Sequence, residues 1–127
     1  MAFPGTYNFS YYKGDTLEFR VYPKDSSGAA FDLTDYDNDT SPLFTIANVR
    51  GDAATLSVSA YAEVSVDNTY ILCVIRPEDG DQLTAGTTYV YDVEISKAGV
   101  SYDSIYTVLT GNITVTEQVS VSDPGAS

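Results

Sequence analysis

Apolar and polar residues alternate in short runs along most of the chain. Leu17, Phe19 and Val21, for example, are interleaved with Glu18 and Arg20. A period of two is typical of strands that bury one face and expose the other. Clusters rich in Gly, Asp and Ser separate the runs and predict turns between them. Alternation predicts strands at residues 7–12, 17–22, 56–60, 89–95 and 113–121, and two less regular apolar segments, residues 43–49 and 102–109, also predict strands.

Two other segments add to this picture. Residues 70–75 form a continuous apolar run, which predicts a central strand buried on both faces. Residues 77–83 begin with Pro-Glu-Asp, which favours a helical turn that Gly80 keeps short, and Gly111 predicts a bend. About eight short strands with these spacings indicate a β-sandwich or a β-barrel.

Composition supports an all-β fold in one domain. The chain has 127 residues, of which 43% are apolar, and its 11 Tyr and 5 Phe occur without any Trp. Length and apolar content are those of a single domain, and β-branched and aromatic residues favour strands. The only cysteine, Cys73, lies within the most apolar segment. It rules out an intrachain disulfide and is expected to be a small, unreactive core residue.

Charge and the absence of histidine exclude several functions. There are 6 basic and 18 acidic residues, a net charge of −12, and no His. So few cations cannot build a nucleic-acid groove or a polybasic membrane surface. Without His there is no Ser-His-Asp or Cys-His catalysis and no histidine metal ligand. We therefore expect a protein that is not an enzyme, binds no cofactor, and has neither nucleic acid nor membrane as a partner.

The acidic loop around residues 32–39 is a candidate calcium site, because hard cations bind clustered oxygen ligands. The candidate ligands are Asp35, Asp37 and Asp39. Aligned with an EF-hand loop, however, Thr40 stands where Gly is needed and Ile46 where the bidentate Glu belongs. The alternative is a solvated loop whose Asp and Asn side chains cap their own backbone.

Tyrosine is the residue type that most suggests a function, because its rigid ring and polar tip suit protein–protein contacts. Residues 1–12 carry no charge and are rich in aromatic side chains. We predict that they supply a docking surface, to which Tyr89 contributes. The predicted docking residues are Phe3, Tyr7, Tyr11, Tyr12 and Tyr89. The alternative is that most of the tyrosines fill the core or its rim.

A series of short motifs runs along the chain in a characteristic order. The motifs are GDTLEF at 14–19, YPKD at 22–25, DLT at 32–34, IRPED at 75–79, GTTYVYDV at 86–93 and YTVLTGNITV at 106–115. In this order they resemble small immunoglobulin-like domains of tailed-phage virions. The series is similar to the N-terminal domain of phage upper baseplate proteins, and the resemblance extends over about residues 9–121.

The resemblance implies an immunoglobulin-like β-sandwich of about eight antiparallel strands over residues 9–121. An N-terminal arm over residues 1–8 and a C-terminal tail over residues 122–127 would flank it. The resemblance also implies a non-enzymatic virion protein, made in the host cytoplasm, that binds other virion proteins.

Because no further domain follows, we expect a stand-alone head decoration protein that binds and stabilises the capsid. A tail, neck or baseplate accessory protein and a carbohydrate-binding module are the alternatives. Self-association of the domain also stays open.

Overall fold

The computed structural model describes residues 5–48 and 57–117, and β-strands dominate both ranges. The predicted all-β class is confirmed. Two short helical turns interrupt the strands, a 3-10 turn at Thr34–Tyr36 and an α-helical turn, α1, at Pro77–Gly80, within the segment where one was predicted. The strands are β1 (Gly5–Thr6), β2 (Phe9–Tyr12), β3 (Leu17–Val21), β4 (Leu43–Ala47), β5 (Ser57–Val64), β6 (Ile71–Ile75), β7 (Thr88–Lys97) and β8 (Ser104–Thr116).

Some sequence-based predictions fall outside these ranges. The described ranges do not include Phe3 or the predicted tail over residues 122–127. They also leave out residue 49 of the predicted strand 43–49, residue 56 of the strand 56–60, and residues 118–121 of the strand 113–121.

The strands form one curled, mixed sheet in the order β1-β8-β7-β4-β5-β6-β3, and β2 also pairs with β8. Both N-terminal strands run parallel to β8, whereas the other pairs are antiparallel. The expectation of antiparallel strands throughout is therefore wrong for β1 and β2. Their pairing has a physical reason: β7 covers only one edge of β8, and the N-terminal strands satisfy backbone groups along the other edge.

The predicted N-terminal arm over residues 1–8 is part of this sheet from Gly5 onward. Gly5 pairs with Leu109 and Thr6 with Thr110, and the backbone N–H of Tyr7 donates to the carbonyl oxygen of Thr110 at 3.0 Å. The prediction of an arm is wrong for these residues, because their backbone donors and acceptors pair with those of β8.

The strand β5 belongs to both halves of the sheet. Its first half pairs with β4, through Phe44 and Ala60 for example, and its second half pairs with β6, through Tyr61 and Val74. The curl brings β3 against β4 and β7, so that the ring of Phe19 lies 5.5 Å from the ring of Phe44, between centroids. The core lies between these facing strands.

Alternation explains which side chains enter the core. Along β7 the buried residues are Tyr89, Tyr91, Val93 and Ile95, and the residues between them are partly exposed. The apolar strand β6 is different, because only Leu72 among its five residues is not fully buried. Burial of this strand on both faces is thus nearly complete, as predicted.

Gly111 lies in the middle of β8, and its pairing with β7 continues through this position. The backbone of the N-terminal segment passes directly over it: a Cβ atom at Gly111 would meet the carbonyl oxygen of Tyr7 at 1.9 Å. The same carbonyl oxygen accepts a hydrogen bond from the Tyr91 hydroxyl at 2.6 Å. A glycine within a strand often marks such a close backbone approach, which is the role of Gly111 here.

The thiol of Cys73 gives a first test of this core. Cys73 is completely buried, and burial raises its pKa to about 12. Because the thiolate is the reactive species, we expect Cys73 to react with a disulfide reagent such as DTNB only after denaturation. The measurement is the rate of DTNB labelling at pH 7 with and without guanidinium. Rapid labelling of the folded protein would mean that β6 is an exposed strand.

Candidate interaction surfaces

The structure divides the predicted docking tyrosines into two groups. Tyr11 and Tyr89 are 1% and 2% exposed, so the docking prediction is wrong for both. Their hydroxyl groups serve the fold: Tyr11 donates to the carbonyl oxygen of Asp15 at 2.7 Å, and Tyr89 accepts from the backbone N–H of Thr84 at 2.8 Å. Both rings occupy the inward positions of alternating strands, and burial raises the pKa of Tyr11.

Tyr7 and Tyr12 are exposed to similar extents, 47% and 49%. Tyr12 points away from the core, as the alternation with Tyr11 predicts. The Tyr7 ring is stacked on Phe9 at 5.2 Å and lies 5.8 Å from Phe19, between ring centroids. It therefore covers one edge of the aromatic core while it presents its other side to solvent.

A groove of about 450 Å³ lies beside Tyr7, between the two ends of the curled sheet. One wall is β3 with the residues that follow it, and the other wall combines β1 with part of β8. We call it the β1–β3 groove. Its lining residues are Gly5, Tyr7, Phe19, Arg20, Val21, Tyr22, Pro23, Lys24, Val108 and Leu109.

The groove is basic although the protein is strongly acidic. Among the described residues, its lining contains Arg20 and Lys24 and no Asp or Glu, whereas the whole chain carries a charge of −12. The guanidinium carbon of Arg20 lies 5.4 Å from the ring centroid of Tyr70, which in turn packs on Tyr22 at 5.3 Å. These contacts hold the Arg20 side chain at the rim, since a cation is attracted to the face of an aromatic ring.

Two other basic side chains, Arg76 and Lys97, contact acidic residues within the fold. Arg76 binds the buried carboxylate of Asp79 through Nε at 3.0 Å and Nη2 at 3.2 Å. The ammonium of Lys97 lies 3.9 Å from Asp35 and 5.3 Å from the ring centroid of Tyr36. Their charge is therefore offset locally.

A second exposed surface lies at the hairpin between β7 and β8. Val100 is fully exposed, and Tyr102 and Ile105 are 78% and 57% exposed. Tyr102 was predicted to lie in a strand, but β8 begins only at Ser104, so this ring belongs to the turn. We call Val100, Tyr102 and Ile105 the hairpin patch. Large apolar side chains that cluster on a surface often mark a contact with another protein.

The acidic loop does not form a metal cluster. Asp35 faces Lys97, and Asn38 accepts a hydrogen bond from the backbone N–H of Thr40 at 3.0 Å. Asp32 accepts two hydrogen bonds from Thr34, which lower its pKa. In residues 5–48 and 57–117, no three His, Cys, Asp or Glu side chains are placed to hold a metal ion, so the structure does not bring together the candidate ligands Asp35, Asp37 and Asp39. The geometry matches the alternative interpretation, a loop that caps its own backbone.

Sequence reasoning missed both surfaces. The groove joins segments far apart in the chain, and its only local signal is that two of the six basic residues, Arg20 and Lys24, flank Tyr22. The hairpin patch was missed because residues 102–109, which include Tyr102 and Ile105, were predicted to form a strand that packs in the sheet.

Comparison with known proteins adds no assignment. No protein-family model matches the chain, and no curated protein matches it. No helix in the described part of the chain has the length and apolar character needed to span a bilayer.

Proposed function

We propose that this protein is a non-enzymatic structural component of a tailed-phage virion, a head decoration protein that binds and stabilises the capsid. The observation that carries the proposal is the hairpin patch. Its three large apolar side chains are exposed to solvent at one end of the sheet, and a contact with another protein would bury them. The order of motifs that resembles virion immunoglobulin-like domains supports the same function.

The proposal includes the finer architecture. The pairing of β5 with both β4 and β6, and the ring contacts from Phe19 to Phe44 and Tyr91, support an immunoglobulin-like sandwich of two layers. One layer would contain β1, β2, β8, β7, β4 and the first half of β5. The other would contain the second half of β5 with β6 and β3.

Several features support a role without catalysis. The chain has no His, and its single thiol is buried with a raised pKa. The buried carboxylate of Asp79, in α1, accepts hydrogen bonds from the backbone N–H and the guanidinium of Arg76. Both of its oxygens therefore hold the residue that precedes α1. These groups stabilise the fold and leave the exposed surfaces to make contacts.

A tail, neck or baseplate accessory protein is the second candidate. The resemblance to the N-terminal domain of upper baseplate proteins favours it, and the same exposed patch would serve it. The two candidates differ in copy number, because a capsid repeats its subunits many more times than a tail does.

Replacing Val100 and Tyr102 together by Ser tests the hairpin patch. We expect binding to particles that lack the protein to weaken by at least about tenfold, since buried aromatic anchors dominate interface energies. The melting temperature should hardly change, because both side chains are exposed. The measurement is cosedimentation of purified protein with particles of the phage that encodes it.

Val66→Ser is the matched control, because Val66 is equally exposed in the turn between β5 and β6. It should bind like the unmodified protein. If the double variant binds particles with unchanged affinity, the hairpin patch is not the docking surface.

A further inference from the structure

The β1–β3 groove follows the outer edge of β3. Consecutive residues 19–24 line it, and in β3 such neighbours point to opposite faces: Phe19 is partly buried against the core, whereas Arg20 is exposed. A cavity that touches both faces of one strand must run along its backbone edge. In residues 5–48 and 57–117, β6 is the only strand that pairs with β3, from Leu17 with Ile75 to Val21 with Ile71.

The opposite wall closes off the space beside the edge of β3, so that the edge borders a groove with two walls. Val108 and Leu109 of β8 and the ring of Tyr7 face β3 across the groove, so apolar surface lies at its base. Its volume of about 450 Å³ is within the usual range of ligand clefts, about 300–1,000 Å³. An exposed strand edge is a template for another strand, and peptides are often recognised by pairing with one.

The charge of the groove indicates which kind of segment would bind there. Arg20 and Lys24 give the described residues of the lining a charge of +2, in a protein whose net charge is −12. Glu18 is close enough to Arg20 to raise the pKa of its guanidinium, so the positive charge of the groove is partly offset at that end. At physiological salt, charges separated by more than about 8 Å are screened, so a segment that has reached the groove feels mainly the charges lining and bordering it. A basic segment would be repelled there, whereas carboxylates would be attracted.

We propose that the β1–β3 groove binds an extended acidic segment of a partner protein, which adds to β3 as a further strand. Because side chains alternate along a strand, one set would face Phe19, Val108 and Leu109, and the other would place carboxylates near Arg20 and Lys24. The identity of the partner as another virion protein rests on the proposed function. The chemistry of the segment rests on the groove alone.

The test uses a fluorescently labelled peptide that alternates Glu and Val over six residues, with both ends blocked. We expect it to bind the intact protein in fluorescence anisotropy. The counterpart with Lys in place of Glu should not bind. A Glu-Val peptide that is N-methylated at alternate backbone amides should bind much more weakly, because it keeps its side chains but cannot pair fully with a strand.

Charge reversal locates the contact. The double variant Arg20→Glu/Lys24→Glu should weaken binding of the Glu-Val peptide by at least about tenfold, about 1.4 kcal/mol. Lys13→Glu is the matched control, because Lys13 is a basic residue outside the groove lining. It should bind nearly as well as the unmodified protein. Both variants are first checked for an unchanged melting temperature.

Backbone NMR then distinguishes strand addition from a nonspecific charge effect. Peptide-induced shift changes should fall on residues 19–24 and 108–109, and amide protons at the outer edge of β3 should exchange more slowly. Shift changes elsewhere, equal binding of the Lys-Val peptide, or no binding of the Glu-Val peptide up to about 1 mM would overturn the inference.

Its failure is distinguishable from failure of the proposed function. A protein that decorates particles but ignores the peptide would overturn only the groove assignment. A protein that binds the peptide but is absent from virions would overturn only the proposed function.

Discussion

Phe44→Ala should lower the free energy of unfolding by about 3–5 kcal/mol, as expected when a large aromatic residue is removed from a filled core. Phe44 is completely buried, and its ring lies 5.5 Å from Phe19 and 5.6 Å from Tyr91, between centroids. It therefore joins β4 to β3 across the core and to β7 beside it. The measurement is equilibrium unfolding in urea, followed by circular dichroism.

The adjacent residue provides the control. Leu43 is on the same strand but is 40% exposed, so Leu43→Ala should cost less than about 1 kcal/mol. Equal losses for the two variants, or a loss below 1 kcal/mol for Phe44→Ala, would contradict the placement of β3 against β4.

Gly111→Ala should destabilise the protein by about 3 kcal/mol, the upper part of the range for overpacking. The added Cβ atom would meet the carbonyl oxygen of Tyr7 at 1.9 Å and Cε2 of Tyr91 at 3.0 Å. Relief requires the N-terminal segment to move away from β8, which breaks the hydrogen bond from Tyr91 to Tyr7. Urea unfolding measures the loss.

Gly5→Ala is the control for this variant, because it lies in the same pair of strands but has space. A Cβ atom at Gly5 would meet its nearest neighbour, Cδ1 of Leu109, at 3.6 Å, which is an ordinary contact. Its stability should therefore stay within about 0.5 kcal/mol of the unmodified protein. If Gly111→Ala is as stable as Gly5→Ala, the N-terminal segment does not pack over β8 as described.

Local patterns were enough to predict the strands but not how they pair. The alternation of Tyr89, Tyr91 and Val93 predicts β7 and its inward face, and the apolar run of residues 70–75 predicts β6, because burial imposes these patterns directly. The parallel pairing of β1 with β8 left no such trace. It depends on contacts between residues more than 100 positions apart, as between Gly5 and Leu109.

The docking prediction was limited in the same way. Tyr12 is exposed as its position opposite Tyr11 indicates, but Tyr11 and Tyr89 were assigned to a surface although each alternates with residues of the outer face. Tyrosine suits both cores and interfaces, so its abundance alone cannot separate the two. The β1–β3 groove could not be predicted, because its walls meet only after the sheet has curled.

The number of copies per virion tests the proposed function most directly. Particles of the phage that encodes the protein would be purified by density gradient, and the protein quantified against the capsid protein by mass spectrometry with isotope-labelled standards. Because a shell repeats its subunits by symmetry, the proposal predicts on the order of hundreds of copies per particle. Roughly a dozen copies would contradict a head location and point to the tail, since tail parts form small rings. Absence from purified particles would contradict a structural role in the virion.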